Sequence, residues 1–142
     1  MPYLHPNERL VVSTLDGWSD FILMQPLPLR TRAGRLLRGR IGATTDGLSS
    51  QKFCKCDLQS TNSFFPTVTH DNAYRGDLEE SLEGGVTWQA IRLTKDESDN
   101  LLLELCEDNF VPPLEAQAIY QAVYEFGQAA WDNDAALRDA KP

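Results

Sequence analysis

The stretch Thr69-His70-Asp71-Asn72-Ala73-Tyr74-Arg75 decides how the rest of the chain reads. As a helix, with a period of about 3.6 residues, it sets His70 and Tyr74 one turn apart on one face, with Asp71 about 100° to the side. An imidazole that can take a proton, a carboxylate that can hold a cation and a phenol that can buttress a hydrogen-bond network then stand together. Such a group needs something to orient the imidazole. Asp99 is the candidate, at the head of the run Asp99-Asn100-Leu101-Leu102-Leu103-Glu104-Leu105. A carboxylate that accepts from one ring nitrogen fixes the tautomer and leaves the other nitrogen to deprotonate water. His70, Asp99 and Tyr74 are therefore the candidate catalytic residues.

Outward from this stretch, Pro66 suits a first helical turn. Val68, Ala73, Tyr74 and Leu78 give the segment Thr67–Leu82 a helical face that Gly84-Gly85 would stop. Thr94 with Glu97 three positions later forms a capping box for a helix over Lys95–Glu107, with Leu101, Leu102 and Leu105 inward. Phe110-Val111-Pro112-Pro113 breaks the chain. Ala118, Ile119, Ala122, Val123, Phe126 and Ala130 then mark one apolar stripe of a last helix from Leu114 to Trp131. Asp132 to Pro142 reads as a polar, mobile tail.

The N-terminal half has the opposite character. Leu10-Val11-Val12 and Phe21-Ile22-Leu23-Met24 are short apolar runs on either side of the turn dipeptide Asp16-Gly17, and Leu36–Ile41 reads as a further strand. Thr44 to Ser50 has turn composition. Val86–Leu93 fits either a short strand or a loop insertion. These readings give one α+β domain over residues 1–131, a β-rich half followed by three helices, with the tail at 132–142.

The chain has 142 residues, a formal charge of −8 and a pI near 4.6. That charge speaks against a nucleic-acid binder, whose footprint is a basic patch. Arg30, Arg32, Arg35, Arg38 and Arg40 do cluster, and a solvated twisted hairpin accounts for them. No apolar run reaches the roughly 20 residues of a transmembrane span, and the start of the chain lacks a signal-peptide layout. Cys54, Cys56 and Cys106 are too few and odd in number for a disulfide framework, in keeping with a reducing cytoplasm. Cys54-x-Cys56 could supply half of a zinc site, but its spacing departs from the usual gap. Trp18, Trp88 and Trp131 pull towards a binding role, and two of the three are expected in the core.

Four ordered blocks then stand out: Thr45-Asp46-Gly47-x-Ser49, His70-Asp71-x-x-Tyr74-Arg75, Ser98-Asp99 and Ile119-Tyr120-x-Ala122-Val123-x-x-Phe126-Gly127. In this order they resemble an uncharacterised phage and prophage protein family over about residues 20 to 131. The sequence departs from that pattern at Ser50-Gln51 and in the polar segment that follows. The HDxxY block is also similar to the active-site helix of phospholipase A2, which implies a phospholipase A2-like helical core. The resemblance makes His70 the base, Tyr74 the buttress and Asp99 the orienter. It implies a calcium ion on Asp71, with the remaining oxygens drawn from the turn containing Gly42, Thr44 and Asp46. The cysteines and dense glycine loop of the secreted enzymes have no counterpart here.

Ester hydrolysis needs a water made nucleophilic and relief of charge on the carbonyl oxygen. An imidazole supplies the first and a hard cation bound by six to eight oxygens the second. Each residue also has a plainer role: His70 and Asp99 as a buried pair locking two helices, Tyr74 as core, Asp71 as a partner of turn amides, and Arg75 paired with Asp71, Asp77 or Glu79. Three functions follow as expectations. The first is a phage virion or tail-associated structural or assembly protein, made in the host cytoplasm and partnered by other tail proteins. The second is a calcium-dependent lipid esterase acting on the host envelope. The third is an inhibitor of a host defence protein whose acidic surface mimics nucleic acid.

Overall fold

In a computed structural model of the chain, the residues described are 12–14, 21–23, 26–45 and 64–140. Asp16-Gly17, Trp18, Asp46, Cys54 and Cys56 lie outside them. The architecture is α+β: two antiparallel sheets built largely from the N-terminal half, followed by helices.

The first sheet has the order β1 (Val12–Thr14), β2 (Phe21–Leu23), β5 (Thr44–Thr45). Thr44 and Thr45, expected in a turn, pair with Ile22 and Phe21. The second sheet runs β3 (Leu27–Arg30), β4 (Leu36–Gly39), β6 (Leu78–Ser81), β7 (Gln89–Ala90). Alternation along β3 and β4 turns Leu27, Leu29 and Leu37 inward, and Leu78 of β6 joins them. The arginine cluster is engaged rather than merely solvated. Arg38 lies opposite Glu79 in register and bonds it at 2.8 Å, Arg35 bonds Glu80 at 2.8 Å, and Arg40 bonds Asp77 at 2.9 Å. Arg32 leaves the sheet to meet Glu107 and Asp108.

Helix α1 spans Phe64–Tyr74 and is buried on nearly every side, Phe65, Val68 and Ala73 packing against the leucines of the sheet. It ends eight residues short of the expected Leu82. Gly76, at φ 75°, takes the left-handed position, Asp77 N–H donates to the carbonyl of Asn72 at 2.8 Å and Gly76 N–H to that of Ala73 at 3.3 Å. This is a Schellman stop, and it frees Leu78–Ser81 to pair with β4. The helix-favouring residues of Asp77–Leu82 are overridden by that pairing. Val86–Leu93 resolves into a two-residue strand, β7, with Ile91 N–H bonded to the carbonyl of Leu78.

Helix α2 (Lys95–Asp108) starts with the expected capping box on Thr94 and Glu97. It carries two buried stripes. Leu101 and Leu105 face α1 and the sheet, while Leu102 and Cys106 face Val111, Ala116, Ile119 and Val123 at α3 (Pro113–Phe126). The last helix expected through Trp131 stops at Phe126, and the expected tail is structured: α4 (Gln128–Asn133) and α5 (Ala135–Asp139) fold back so that Arg138 is buried. Five helices, not three, are thus present among the described residues. None is long and apolar enough to cross a membrane.

Candidate functional site

The site is built where α1, α2 and α3 meet. His70 and Tyr74 sit one turn apart on α1, their rings 4.2 Å between centroids and tilted by 46°. Asp99, in the second turn of α2, reaches both: His70 Nε2 lies 2.7 Å from Asp99 Oδ1, and Tyr74 donates its hydroxyl to the same oxygen at 2.7 Å. The sequence-derived trio is therefore one hydrogen-bonded cluster. His70 is 5% exposed and Asp99 1%.

Lys95, which the sequence marks only as the start of a helix, completes it. Its ammonium donates to Asp99 Oδ2 at 2.7 Å and to the carbonyl of Val123 at 3.1 Å. The spacing from Lys95 to Asp99 is the i,i+4 interval of a helical ion pair, a signal that was legible. Val123 lies in the last turn of α3, where the helix dipole favours a cation. Burial alone would raise the Asp99 carboxyl; the donors His70, Lys95 and Tyr74 outweigh it and hold the group below the usual carboxylate range. Burial, and then the bond and charge of Asp99, push the Tyr74 phenol far above its ordinary value. At neutral pH an ionised carboxylate thus faces a protonated phenol.

Tyr74 is held on its other sides too. Trp131 meets its ring edge-on at 5.1 Å, and Arg138 Nη1 donates to the Tyr74 carbonyl at 3.0 Å and to that of Trp131 at 2.7 Å. The Arg138 guanidinium also lies 3.5 Å over the Trp131 ring. Of the tryptophans, Trp131 therefore supports the site, while Trp88 stacks under Arg38 at 4.2 Å on the sheet. Gly127 leaves room for the phenol: a Cβ there would stand 2.8 Å from the Tyr74 hydroxyl and 2.4 Å from the Val123 carbonyl oxygen. Arg138 carried no periodic signal, since it lies in the second of two short helices in a polar stretch.

The expected calcium ligands fare differently. Asp71 is half-buried and has its own interactions. Thr44 Oγ1 accepts from Arg75 Nη1 at 2.7 Å, and Asp77 Oδ1 accepts from Arg40 Nε at 2.9 Å. Gly42 is exposed at φ 88°, its N–H spent on the carbonyl of Leu23. Asp46 lies outside the described residues. Arg75 thus sets a guanidinium on the Thr44 hydroxyl, beside the turn whose oxygens the calcium reading invokes. Among the described residues no group of three or more His, Cys, Asp or Glu side chains is placed to hold a metal ion.

Chemically, the cluster can do two things. It can bind three helices through one shared anion. It can also present a histidine whose Nε2 faces a carboxylate, leaving Nδ1 as the proton acceptor. No family model, no curated protein and no solved structure matches this chain.

Proposed function

We propose that this chain is a phage-encoded structural or assembly component, carried with the virion or its tail, and that the His70–Asp99–Tyr74 cluster is its architectural keystone. One observation carries the keystone: both oxygens of a carboxylate 1% exposed are filled by protein donors, two from α1 and one from α2, and that last donor also reaches α3. A carboxylate so saturated serves packing, and a histidine 5% exposed beneath its neighbours offers little access to a substrate. The phage assignment is supported by the four ordered blocks. On this reading the chain is made in the host cytoplasm and joins other tail proteins. The test is a tagged copy expressed during induction of the element that encodes it: the tag is expected in the purified particle or tail fraction. Particles free of the tag, with the chain recovered only as a monodisperse monomer, would refute the proposal.

A second reading is favoured by the tautomer that the geometry selects. With Nε2–H directed at Asp99, His70 Nδ1 is the base of a water-activating dyad, and the reading becomes an esterase acting on a lipid or similar ester. The dyad supports it, and the calcium ion that the resemblance implies on Asp71 remains part of this reading. Short-chain ester hydrolysis by the purified chain, lost in a folded His70→Gln variant, would establish it. Hydrolysis equal in both proteins excludes it.

A further inference from the structure

Between the turn of the β3–β4 hairpin and α2 the fold leaves a groove of about 260 Å³. Its floor is apolar: Leu37 of β4, Leu93 just ahead of α2 and Leu101 on α2 line it and are buried. Its charged lining is Arg35, Glu97 and Glu104. Arg35 gives both of its side-chain bonds to Glu80, at 2.8 and 3.0 Å, and reaches Glu97 through charge alone. Arg30, the other cation of this part of the hairpin, donates to the Gly34 carbonyl. Glu97 Oε1 accepts the Thr94 N–H at 2.9 Å in the capping box, and Glu104 Oε2 accepts the backbone N–H of Arg32 at 2.9 Å. Among the described residues, no cationic group is bonded to either carboxylate, and Glu97 Oε2 and Glu104 Oε1 are open.

The helix itself shows what this acidic face accepts. One turn beyond the groove, the Arg32 guanidinium lies across Glu107 and Asp108, so the hairpin supplies a basic side chain there. At the groove it supplies none that is free, and a leucine floor rimmed by two acids is left. A methylene stem ending in a charge is complementary to that surface, the stem covering apolar atoms and the head meeting the rim. A guanidinium binds best as a fork across both oxygens of one carboxylate, and each carboxylate here has one oxygen in use. An ammonium donates to single oxygens and has no such requirement. We infer that this groove docks a segment of another protein through a lysine side chain, its methylenes on Leu37, Leu93 and Leu101 and its ammonium drawn to Glu97 and Glu104. The inference rests on the assembly reading and names the surface and the partner chemistry it requires.

The probe is a synthetic peptide of alternating serine and lysine, with one twin carrying norleucine and another arginine in place of lysine. Each is titrated into the isotope-labelled full chain and followed by backbone amide shifts. The lysine peptide is expected to shift amides of the hairpin turn and of residues 93 to 104, to bind at least about tenfold more tightly than the norleucine twin and no less tightly than the arginine twin, and to weaken as salt rises. Glutamine keeps an acceptor oxygen, so Glu97→Gln retains the capping box and Glu104→Gln the bond from Arg32. Together they should leave Tm within about 3 °C of wild type and weaken the lysine peptide about tenfold or more. If the double variant melts earlier than that, the three peptides on wild type decide alone. No binding by the lysine peptide, equal binding by the norleucine twin, tighter binding by the arginine twin, shifts confined to other elements, or undiminished binding by a folded double variant would overturn the inference. So would a concentration-dependent dimer in sedimentation that the double variant dissolves, because the groove would then belong to a second copy. Peptide failure with the chain still present in particles defeats this inference alone; peptide binding with the chain absent from particles defeats the assembly reading alone.

Discussion

Replacing Asp99 by asparagine keeps the side chain's shape and removes its charge, and the structure sets the expected loss. Three donors converge on the two oxygens: His70 Nε2 and the Tyr74 hydroxyl on Oδ1, Lys95 Nζ on Oδ2. An amide offers one acceptor and places its own N–H groups against a donor, so at least one buried donor loses its partner. Lys95, whose side chain is 13% exposed, loses its counterion. Breaking one side of a buried ion pair costs about 3–5 kcal/mol. For a chain of this length, about 3 °C of Tm per kcal/mol makes the drop roughly 10–15 °C. Urea unfolding at neutral pH is the assay, with the m-value as control for the two-state reading. Adding Lys95→Met to Asp99→Asn should recover more than about 1 kcal/mol relative to additivity, because the stranded ammonium is gone. The pH dependence has a fixed sign. The Asp99 carboxyl is lowered in the fold from an ordinary 3.8, so its contribution is complete above that value and lost as pH falls through the lower folded value. Wild type should therefore lose stability in acid more steeply than Asp99→Asn. A variant within about 2 °C of wild type, or strict additivity with Lys95→Met, would refute the keystone.

Three further outcomes follow from neighbouring features. Arg138→Ala removes two charge-assisted bonds to buried carbonyls and the stacking on Trp131; a loss of about 2–4 kcal/mol and a red-shifted tryptophan emission are expected, and unchanged emission would show that the last helix does not clamp the site. Gly127→Ala forces a methyl against the Val123 carbonyl and the Tyr74 hydroxyl at an expected cost of about 1–3 kcal/mol by thermal melting, and Tyr74→Phe in the same chain should relieve only part of it; full relief would exonerate the backbone contact. The Cys106 thiol is pushed up to about 12 by burial and then by the charges of Glu107 and Glu115, so in a Cys54→Ser, Cys56→Ser chain at pH 8 its reaction with a disulfide reagent should run at the unfolding rate, and fast labelling of folded protein would contradict its burial.

The site was more legible than the topology. A four-residue interval put His70 and Tyr74 on one face, and an acid at the head of a leucine-rich helix is where Asp99 is found. Thr94 and Glu97 announced the start of α2 because a capping box is purely local. The end of α1 was misplaced because Asp77–Leu82 carries good helix formers, while its strand state is fixed by Leu37, Arg38 and Gly39, some forty residues upstream, which only the fold brings alongside. Gly76 was the available local signal, outweighed by Gly84-Gly85. Lys95 could have been found from its interval to Asp99. Arg138 could not, since what fixes it is a carbonyl of Tyr74, and no side-chain pattern reports where a distant carbonyl points.

The antiparallel pairing of β4 with β6 ties residues 36–39 to 78–81, so everything from Arg40 to Asp77, the histidine helix included, lies within one closed circuit of chain. The entropy of closing a circuit grows only with the logarithm of its contour, about 0.6 kcal/mol per doubling. Cutting the backbone between Thr45 and Phe64 would open that ring and leave the β4–β6 pairing and the packing of the buried helix to hold the two pieces together without a covalent link, although the helix itself stays joined to β6 through Gly76.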